Sequence, residues 1–247
     1  MPQSLKIEHV ERPVGLGVGI YSQADAARLL RVTPTRLRRW VRGYTYQYVY
    51  ALAARVGKQP PVVRLDLPVV RDTIALSFVE LMELRAVKAM TDRGVSLQRI
   101  RTAARIASTI FGTDHPFASR QIFTEGNRIF SAASTGLEET PDVIELSKDK
   151  HTQLVIGKMV VPLLKEIDFD PSTSLAFKWW PLGKAKPIVL NPRVAFGAPT
   201  VNGTRIRTLT LFRMVGGSSV PVIARAFEVA EGAVEAAVHF ERELAAA

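Results

Sequence analysis

The chain has 247 residues, and its 33 lysines and arginines outnumber its 23 aspartates and glutamates, which gives a formal charge of +10 at pH 7. A composition of 47% hydrophobic and 23% charged residues excludes wholesale disorder, and the absence of cysteine excludes disulfides, thiolate zinc sites and a cysteine nucleophile. No stretch approaches the ~18 apolar residues of a membrane span, so we expect a cytoplasmic protein. Its positive charge points to a polyanion or an acidic partner.

The positive charge is concentrated near the N-terminus. No acidic residue occurs between Asp25 and Asp66, an interval that holds nine arginines and lysines. From Val215 to the end of the chain, five glutamates accompany two arginines. This asymmetry predicts two functions in one chain, with an N-terminal part that meets negative charge and a C-terminal part that does not.

Residues 21–42 predict two short helices. Ser22 is a good N-cap with Asp25 three residues later, and the apolar residues needed for a buried face follow at once. Thr33 can cap a second helix, in which Pro34 takes the first helical position. Such a pair is either a helical hairpin with a solvated basic face or a helix-turn-helix, whose second helix enters the DNA major groove. The acid-free charge favours the latter, and the predicted DNA contacts are Thr33, Thr35, Arg36, Arg38, Arg39 and Arg42.

Four tyrosines alternate with other residues after the second helix, over 44–50, which predicts a strand with one aromatic face. This strand is either the wing of a winged helix or a layer on the core. In the first case Tyr44 and Tyr46 join the DNA contacts. A long amphipathic helix is predicted over 73–93, with Gly94 closing it and Ser96 capping the next helix.

Two segments resemble a known family. The pattern of residues 21–40, which includes Leu29-Leu30, Pro34 and the run Leu37-Arg38-Arg39-Trp40, resembles the DNA-binding domain of MerR-type regulators. The run LRAVKAMTDRGVSLQRIR (84–101) resembles the helix pair that follows the wing in that family. The resemblance implies a winged helix-turn-helix domain over residues 1–115.

Residues 116–186 predict a small β-containing middle region. We expect a hairpin around Glu125-Gly126-Asn127, a short helix over 151–164 and strands over 165–170 and 175–180. Trp179-Trp180 is either a buried anchor or an exposed spot that binds a partner. No carboxylate here has a metal-like or catalytic spacing to a histidine or a second carboxylate.

Residues 187–247 predict a short strand over 187–191 and three helices that outline a second helix-turn-helix-like fold. We expect Thr204 to cap a helix over 205–215, Ser219 to cap one over 220–227, and the last helix to span 230–246. The expected fold class is therefore mainly α with short strands (α+β), in three parts: 1–115, 116–186 and 187–247.

The C-terminal motifs carry a second resemblance. Gly197-x-Pro199, Gly203-Thr204-Arg205-Ile206 and Ala224-x-x-Phe227 resemble a small bacterial domain of unknown function that occurs beside PIN-domain toxins and as the tail of longer VapB-type antitoxins. A MerR-like head joined to this tail resembles the long VapB-type antitoxins of toxin–antitoxin modules.

This resemblance implies partners and a function. The chain would bind and neutralise a cognate PIN-domain ribonuclease toxin and repress its own operon by binding operator DNA. No cofactor is expected, and the protein would be a homodimer or part of a larger toxin–antitoxin hetero-oligomer, with either the 73–93 helix or the C-terminal unit as the interface. Since PIN domains use clustered carboxylates, the toxin contacts predicted by charge are Arg193, Arg205, Arg207 and Arg213.

Two other functions compete with this one. A MerR-type regulator would sense a small ligand through the middle and C-terminal regions, and the absence of a neighbouring gene for an acidic PIN protein would favour it. An enzyme is disfavoured because the four histidines are scattered along the chain. The glycines over 15–19 follow no strand and precede no Lys-Ser/Thr pair, so they do not form a nucleotide loop.

Overall fold

A computed structural model of the chain describes residues 18–50, 53–67, 73–122, 125, 129 and 162–246. The mainly α architecture with short strands is confirmed. Among the described residues, no helix combines the length and the apolar composition needed to cross a bilayer. The helices are α1 (Gln23–Leu30), α2 (Pro34–Arg42), α3 (Phe78–Thr91), α4 (Leu97–Phe111), α5 (Thr208–Met214), α6 (Val220–Ala226) and α7 (Glu231–Ala245).

The described strands form three antiparallel sheets, in which β1 pairs with β4, β2 pairs with β3, and the third sheet has the order β5-β6-β7-β8. The third sheet joins the middle region to the C-terminal unit, because β6 before residue 187 pairs with β7 after it. The strands are β1 (Tyr21–Ser22), β2 (Tyr44–Tyr50), β3 (Ala53–Gln59), β4 (Ala75–Leu76), β5 (Ile167–Phe169), β6 (Ala176–Trp179), β7 (Ile188–Leu190) and β8 (Pro199–Val201).

The helix predicted over 73–93 is shorter than its amphipathic pattern indicates. Ala75 and Leu76 form β4 and pair with β1, and α3 begins only at Phe78. Ser77 caps α3 in a capping box with Glu80, whose carboxylate accepts a hydrogen bond from the Ser77 backbone N at 2.5 Å. This cap fixes the start of the helix at Phe78, so the preceding Ala75 and Leu76 can pair with β1.

The hairpin predicted around residues 125–127 is contradicted at its described residues, whereas Gly126 and Asn127 lie outside them. The described residues of that stretch, Ile122, Glu125 and Ile129, are helical, and the Glu125 backbone N donates to the Gln121 carbonyl at 3.1 Å. The side chains of Ile122 and Ile129 are buried, so tertiary packing outweighs the local turn signal. Of the helix predicted over 151–164, residues 151–161 lie outside the described residues, and 162–165 are helical.

The helix predicted to start at Arg205 begins later. The Thr204 hydroxyl donates to the Val201 carbonyl at 2.8 Å within a turn, so it does not cap a helix. Arg207 then bridges back to Thr200 of β8, and α5 begins at Thr208. The pairing of Arg207 with Thr200 therefore keeps residues 205–207, which the sequence predicts as the first helical turn, out of the helix.

One buried cluster of side chains extends through the described chain, from Leu37 in α2 to Phe240 in α7. At the junction, the buried Tyr21 hydroxyl donates to the Gly197 carbonyl at 2.8 Å. Gly197 has a φ of +85°, and a Cβ there would lie 2.3 Å from the Tyr21 hydroxyl, so this approach requires glycine. The N-terminal and C-terminal parts thus share a core, and the division at 115 and 186 stays a prediction.

Candidate nucleic-acid interface

Helices α1 and α2 form the helix-turn-helix that the sequence predicts. The Ser22 hydroxyl accepts a hydrogen bond from the Asp25 backbone N at 3.1 Å at the start of α1. The Thr33 hydroxyl does the same for the Arg36 backbone N at 3.2 Å at the start of α2. Between the two helices, Arg31 takes a left-handed conformation with a φ of 53°, which ends α1 and turns the chain.

The predicted DNA contacts lie on α2, at its N-cap Thr33 and at the start of β2. Leu37 and Trp40 are buried, which fixes the side of the helix that faces solvent. Arg38 and Arg39 are exposed, as are Thr33 and Thr35, whereas Arg36, Arg42 and Tyr44 are half-buried. Because α2 contains no acidic residue, its exposed arginines present positive charge suited to phosphate groups.

Arg36 has a different environment from its neighbours on α2. Its guanidinium donates to the Thr91 hydroxyl at 2.8 Å and to Asp92 Oδ1 at 2.7 Å, at the end of α3. Its Cζ also lies 5.0 Å from the ring centroid of Trp40. Arg36 therefore connects α2 to α3. Desolvation by burial raises the pKa of Asp92, but the hydrogen bonds and charges of Lys88 and Arg36 outweigh it and leave that pKa below its usual value.

Strands β2 and β3 form a hairpin beside α2, which we call the wing. The Arg39 Cζ lies 4.9 Å from the ring centroid of Tyr44, a cation–π contact that joins α2 to the wing. Tyr46 and Tyr48 are each 42% exposed, with ring centroids 5.7 Å apart. The phenol end of Tyr46 lies over Gly57, where an added Cβ would come within 2.4 Å of the ring. Tyr46 and Tyr48 thus lie on the wing and outside the core.

Arg101 of α4 supports the base of the wing, a role that the sequence analysis missed. Its Nε donates to the Pro60 carbonyl at 2.8 Å and its Nη1 donates to Gln59 Oε1 at 3.2 Å. Desolvation lowers the pKa of this guanidinium. Arg101 belongs to the run that resembles the MerR-type helix pair, but its wing contacts join residues about 40 positions apart and leave no local signal.

The C-terminal helix α7 packs against α1 and neutralises part of the basic head. The Arg28 Nη1 lies 2.9 Å from Glu241 Oε2, and this carboxylate also accepts a hydrogen bond from the buried Thr208 hydroxyl. The Glu241 side chain is 2% exposed. A second and more exposed ion pair joins Arg31 Nη2 to Glu243 Oε2 at 2.6 Å. Arg28 and Arg31 therefore hold the N-terminal part against α7.

His115, just after α4, joins the segment behind the wing to α3. Its Nδ1 lies 3.1 Å from Glu83 Oε2 and its Nε2 lies 2.8 Å from Asp66 Oδ2. Burial disfavours the charged imidazole, but the hydrogen bonds and charges of Glu83 and Asp66 outweigh it and raise the pKa of His115 to about 9. Burial also raises the pKa of Glu83, so the protonated imidazole bridges two acidic side chains at neutral pH.

We expect this site to make stability depend on pH. An unfolded histidine titrates near pH ~6.5, so the stabilisation is fully present below that pH and is lost as the pH rises through about 9. The free energy of unfolding should fall by about 2 kcal/mol from pH 7 to pH 9 through this group, measured by urea denaturation.

The variant His115→Gln should lose this part of the pH dependence. His239→Gln is the matched control, because the His239 side chain is 63% exposed and contacts only Glu243 among described carboxylates. If wild type and His115→Gln lost stability equally between pH 7 and pH 9, the assignment would be wrong.

The arginines predicted to contact a toxin are exposed side chains of the C-terminal unit. Arg205 and Arg207 lie between β8 and α5, and Arg213 lies in the last turn of α5. Arg193 follows β7, with its Nη2 4.0 Å from Asp170 Oδ2. None of the described acidic residues forms an ion pair with Arg205, Arg207 or Arg213.

Comparisons with known proteins agree with this architecture. Residues 19–104 match a family model described as "Putative DNA-binding HTH domain", and residues 188–240 match DUF433, a family described as a protein of unknown function. A relative from Mycobacterium tuberculosis (strain ATCC 25618 / H37Rv), named "Putative antitoxin VapB45", is 30% identical over 195 residues, which are 77% of this chain and 80% of the relative.

A solved structure has a similar fold. The crystal structure of Rv2018 from Mycobacterium tuberculosis aligns with a TM-score of 0.67, over 90% of this chain and 98% of that chain. The two sequences are 22% identical in this alignment, so the likeness concerns the fold.

Proposed function

The chain belongs to the family of VapB-type antitoxins, and from that premise we propose that it neutralises a cognate PIN-domain ribonuclease toxin in the cytoplasm. We further propose that it represses its own operon by binding DNA through α2 and the wing. In this proposal the chain acts by binding and performs no catalysis, as a homodimer or within a toxin–antitoxin hetero-oligomer.

The observation that carries the DNA-binding part is the exposed basic face of α2. Arg38 and Arg39 extend from a helix without acidic residues, and Arg39 also contacts Tyr44 at the base of the wing. A recognition helix with a wing beside it matches the way that helix-turn-helix proteins meet a major groove and its phosphates. Arg36 contributes differently, because its ion pair with Asp92 holds α2 on α3.

Replacing Arg38 and Arg39 together by alanine should weaken binding to the promoter DNA of the operon and flatten its salt dependence. If each arginine neutralises one phosphate, the slope of log K against log salt should decrease in magnitude by about 2. Fluorescence anisotropy of a labelled promoter fragment over a series of salt concentrations measures both quantities.

The double variant Arg213→Ala/Arg225→Ala is the control, since it removes the same charge from exposed positions of the C-terminal unit. Arg36→Ala should change the slope less than the Arg38→Ala/Arg39→Ala pair does. An unchanged affinity and slope in that pair would refute the proposed interface.

The toxin-binding part rests on family membership and on charge. The C-terminal unit presents Arg205, Arg207 and Arg213 without described acidic partners, and PIN domains carry clustered carboxylates. Co-expression of the chain with the product of the adjacent gene, followed by affinity purification, tests this part. We expect a stable complex and loss of ribonuclease activity; a toxin that stays fully active in excess of this chain would contradict neutralisation.

A further inference from the structure

A groove lies where the N-terminal and C-terminal parts meet. It has a volume of about 230 Å³, and its walls include Ile20 and Arg28 from the head and Phe196, Arg207 and Leu209 from the C-terminal unit. We call it the junction groove. Two of its apolar side chains extend into solvent, since Phe196 is 57% exposed and Ile20 is 44% exposed. An aromatic side chain this exposed contributes little to the core.

The exposure of Phe196 results from an unusual backbone. Ala195 and Phe196 have φ values of 48° and 56°, and Gly197 follows at 85°. Two successive non-glycine residues in the left-handed region are strained, and such strain persists where surrounding contacts impose it. Here the Ile20 backbone N donates to the Phe196 carbonyl at 3.1 Å, and Gly197 contacts Tyr21. These contacts hold the backbone in the conformation from which the Phe196 ring extends into solvent.

The charged residues of the groove walls are Asp25, Arg28, Arg207 and Glu241. Arg28 pairs with Glu241, and Asp25 accepts a hydrogen bond from the Ser22 hydroxyl at 2.6 Å. Arg207 is exposed and has no ionic partner among the residues that the structure describes. An exposed aromatic ring beside an unpaired arginine is the combination enriched at protein interfaces.

We propose that the junction groove is the docking site for the cognate toxin. A toxin segment would place an apolar side chain against Phe196 and Ile20 and a carboxylate on Arg207. This inference rests on the proposed function and names its contact surface. Arg207 forms no ion pair with a described residue and can accept a carboxylate of the partner, and the net charge of +10 favours an acidic partner. Because both parts of the chain form the walls, the toxin would contact the head as well as the C-terminal unit.

The test measures binding of the purified adjacent-gene product to the full chain by biolayer interferometry. Phe196→Asn removes the ring but keeps a residue that tolerates a left-handed backbone. It should weaken binding roughly thirtyfold, as expected for an interface hot spot, and Arg207→Glu should weaken it at least roughly tenfold. Both variants should keep the wild-type melting temperature and promoter affinity.

Two matched controls lie outside the groove. Val222→Ser alters an apolar residue that is 55% exposed, and Arg225→Glu reverses an exposed arginine, both on α6. Neither should change toxin affinity by more than roughly twofold.

The outcomes separate the inference from the proposed function. A toxin that binds wild type and Phe196→Asn equally well overturns the docking site and leaves the antitoxin function intact. A wild-type chain that binds no adjacent-gene product overturns both. If Phe196→Asn instead dissociates a dimer in sedimentation without affecting toxin binding, a second copy covers the groove and the inference is wrong.

Discussion

Replacing Gly43 by alanine will destabilise the protein by about 3 kcal/mol and weaken DNA binding at least about tenfold. Gly43 connects α2 to β2 with a φ of 73° and a ψ of −168°, a region that is essentially restricted to glycine. A Cβ at this position would lie 2.1 Å from the Gln59 carbonyl oxygen, which is backbone of the opposite strand. The wing must therefore move away from α2, and the two proposed DNA-binding elements lose their relative position.

The control for this variant is Gly94→Ala, in the turn after α3. Gly94 has a φ of 86°, but nothing lies within 4 Å of the Cβ that alanine would add. It should cost only about 1 kcal/mol and leave DNA affinity unchanged. Thermal denaturation and anisotropy with promoter DNA compare the two. Equal melting temperatures would show that the close approach at Gly43 does not constrain the wing.

Replacing Arg28 by alanine will destabilise the protein by about 3 kcal/mol, because it leaves the carboxylate of Glu241 buried without its cation. The Glu241 side chain is 2% exposed and would retain only the Thr208 hydroxyl among its described side-chain partners. Adding Glu241→Gln to Arg28→Ala removes the buried charge and should restore most of the loss. Urea denaturation of the single and double variants measures this.

The ion pair of Arg31 with Glu243 should contribute less to stability than that of Arg28 with Glu241. Arg31 and Glu243 have side chains that are 44% and 36% exposed, so water can replace either partner. Arg31→Ala should cost less than about 1 kcal/mol. If Arg28→Ala proved as mild as Arg31→Ala, Glu241 would have access to water and the two parts of the chain would be coupled only weakly through this pair.

The elements that the sequence predicts correctly are those fixed by local chemistry. Ser22 and Thr33 cap their helices as their positions indicate, and the alternating tyrosines form a strand. The start of α3 was misplaced because β4 pairs with β1, a partner more than 50 positions away. Near residue 125 the described residues are helical and not in the predicted hairpin, because Ile122 and Ile129 are buried. No local sequence pattern reveals this burial.

The candidate site also combines features that the sequence predicts with features that depend on distant contacts. The positive charge on α2 follows directly from the sequence, but the ion pair of Arg36 with Asp92 at the end of α3 does not. The outward position of Phe196 depends on two left-handed residues and on a backbone hydrogen bond to Ile20. Neither feature has a signature in a stretch of sequence, because each depends on contacts between distant parts of the chain.

The four-stranded sheet has a consequence for how this architecture can be recombined. Its inner pair, β6 and β7, joins Trp179 to Leu190, and the DUF433 match begins only at residue 188. A fragment that starts there would keep β7 and β8 but expose the hydrogen-bonding edge that β6 covers, and exposed edges promote aggregation. A fusion that transplants this C-terminal unit should therefore carry residues 166–180 with it. In this chain, the C-terminal unit that can be transferred as a whole is longer than the segment 188–240 that matches DUF433.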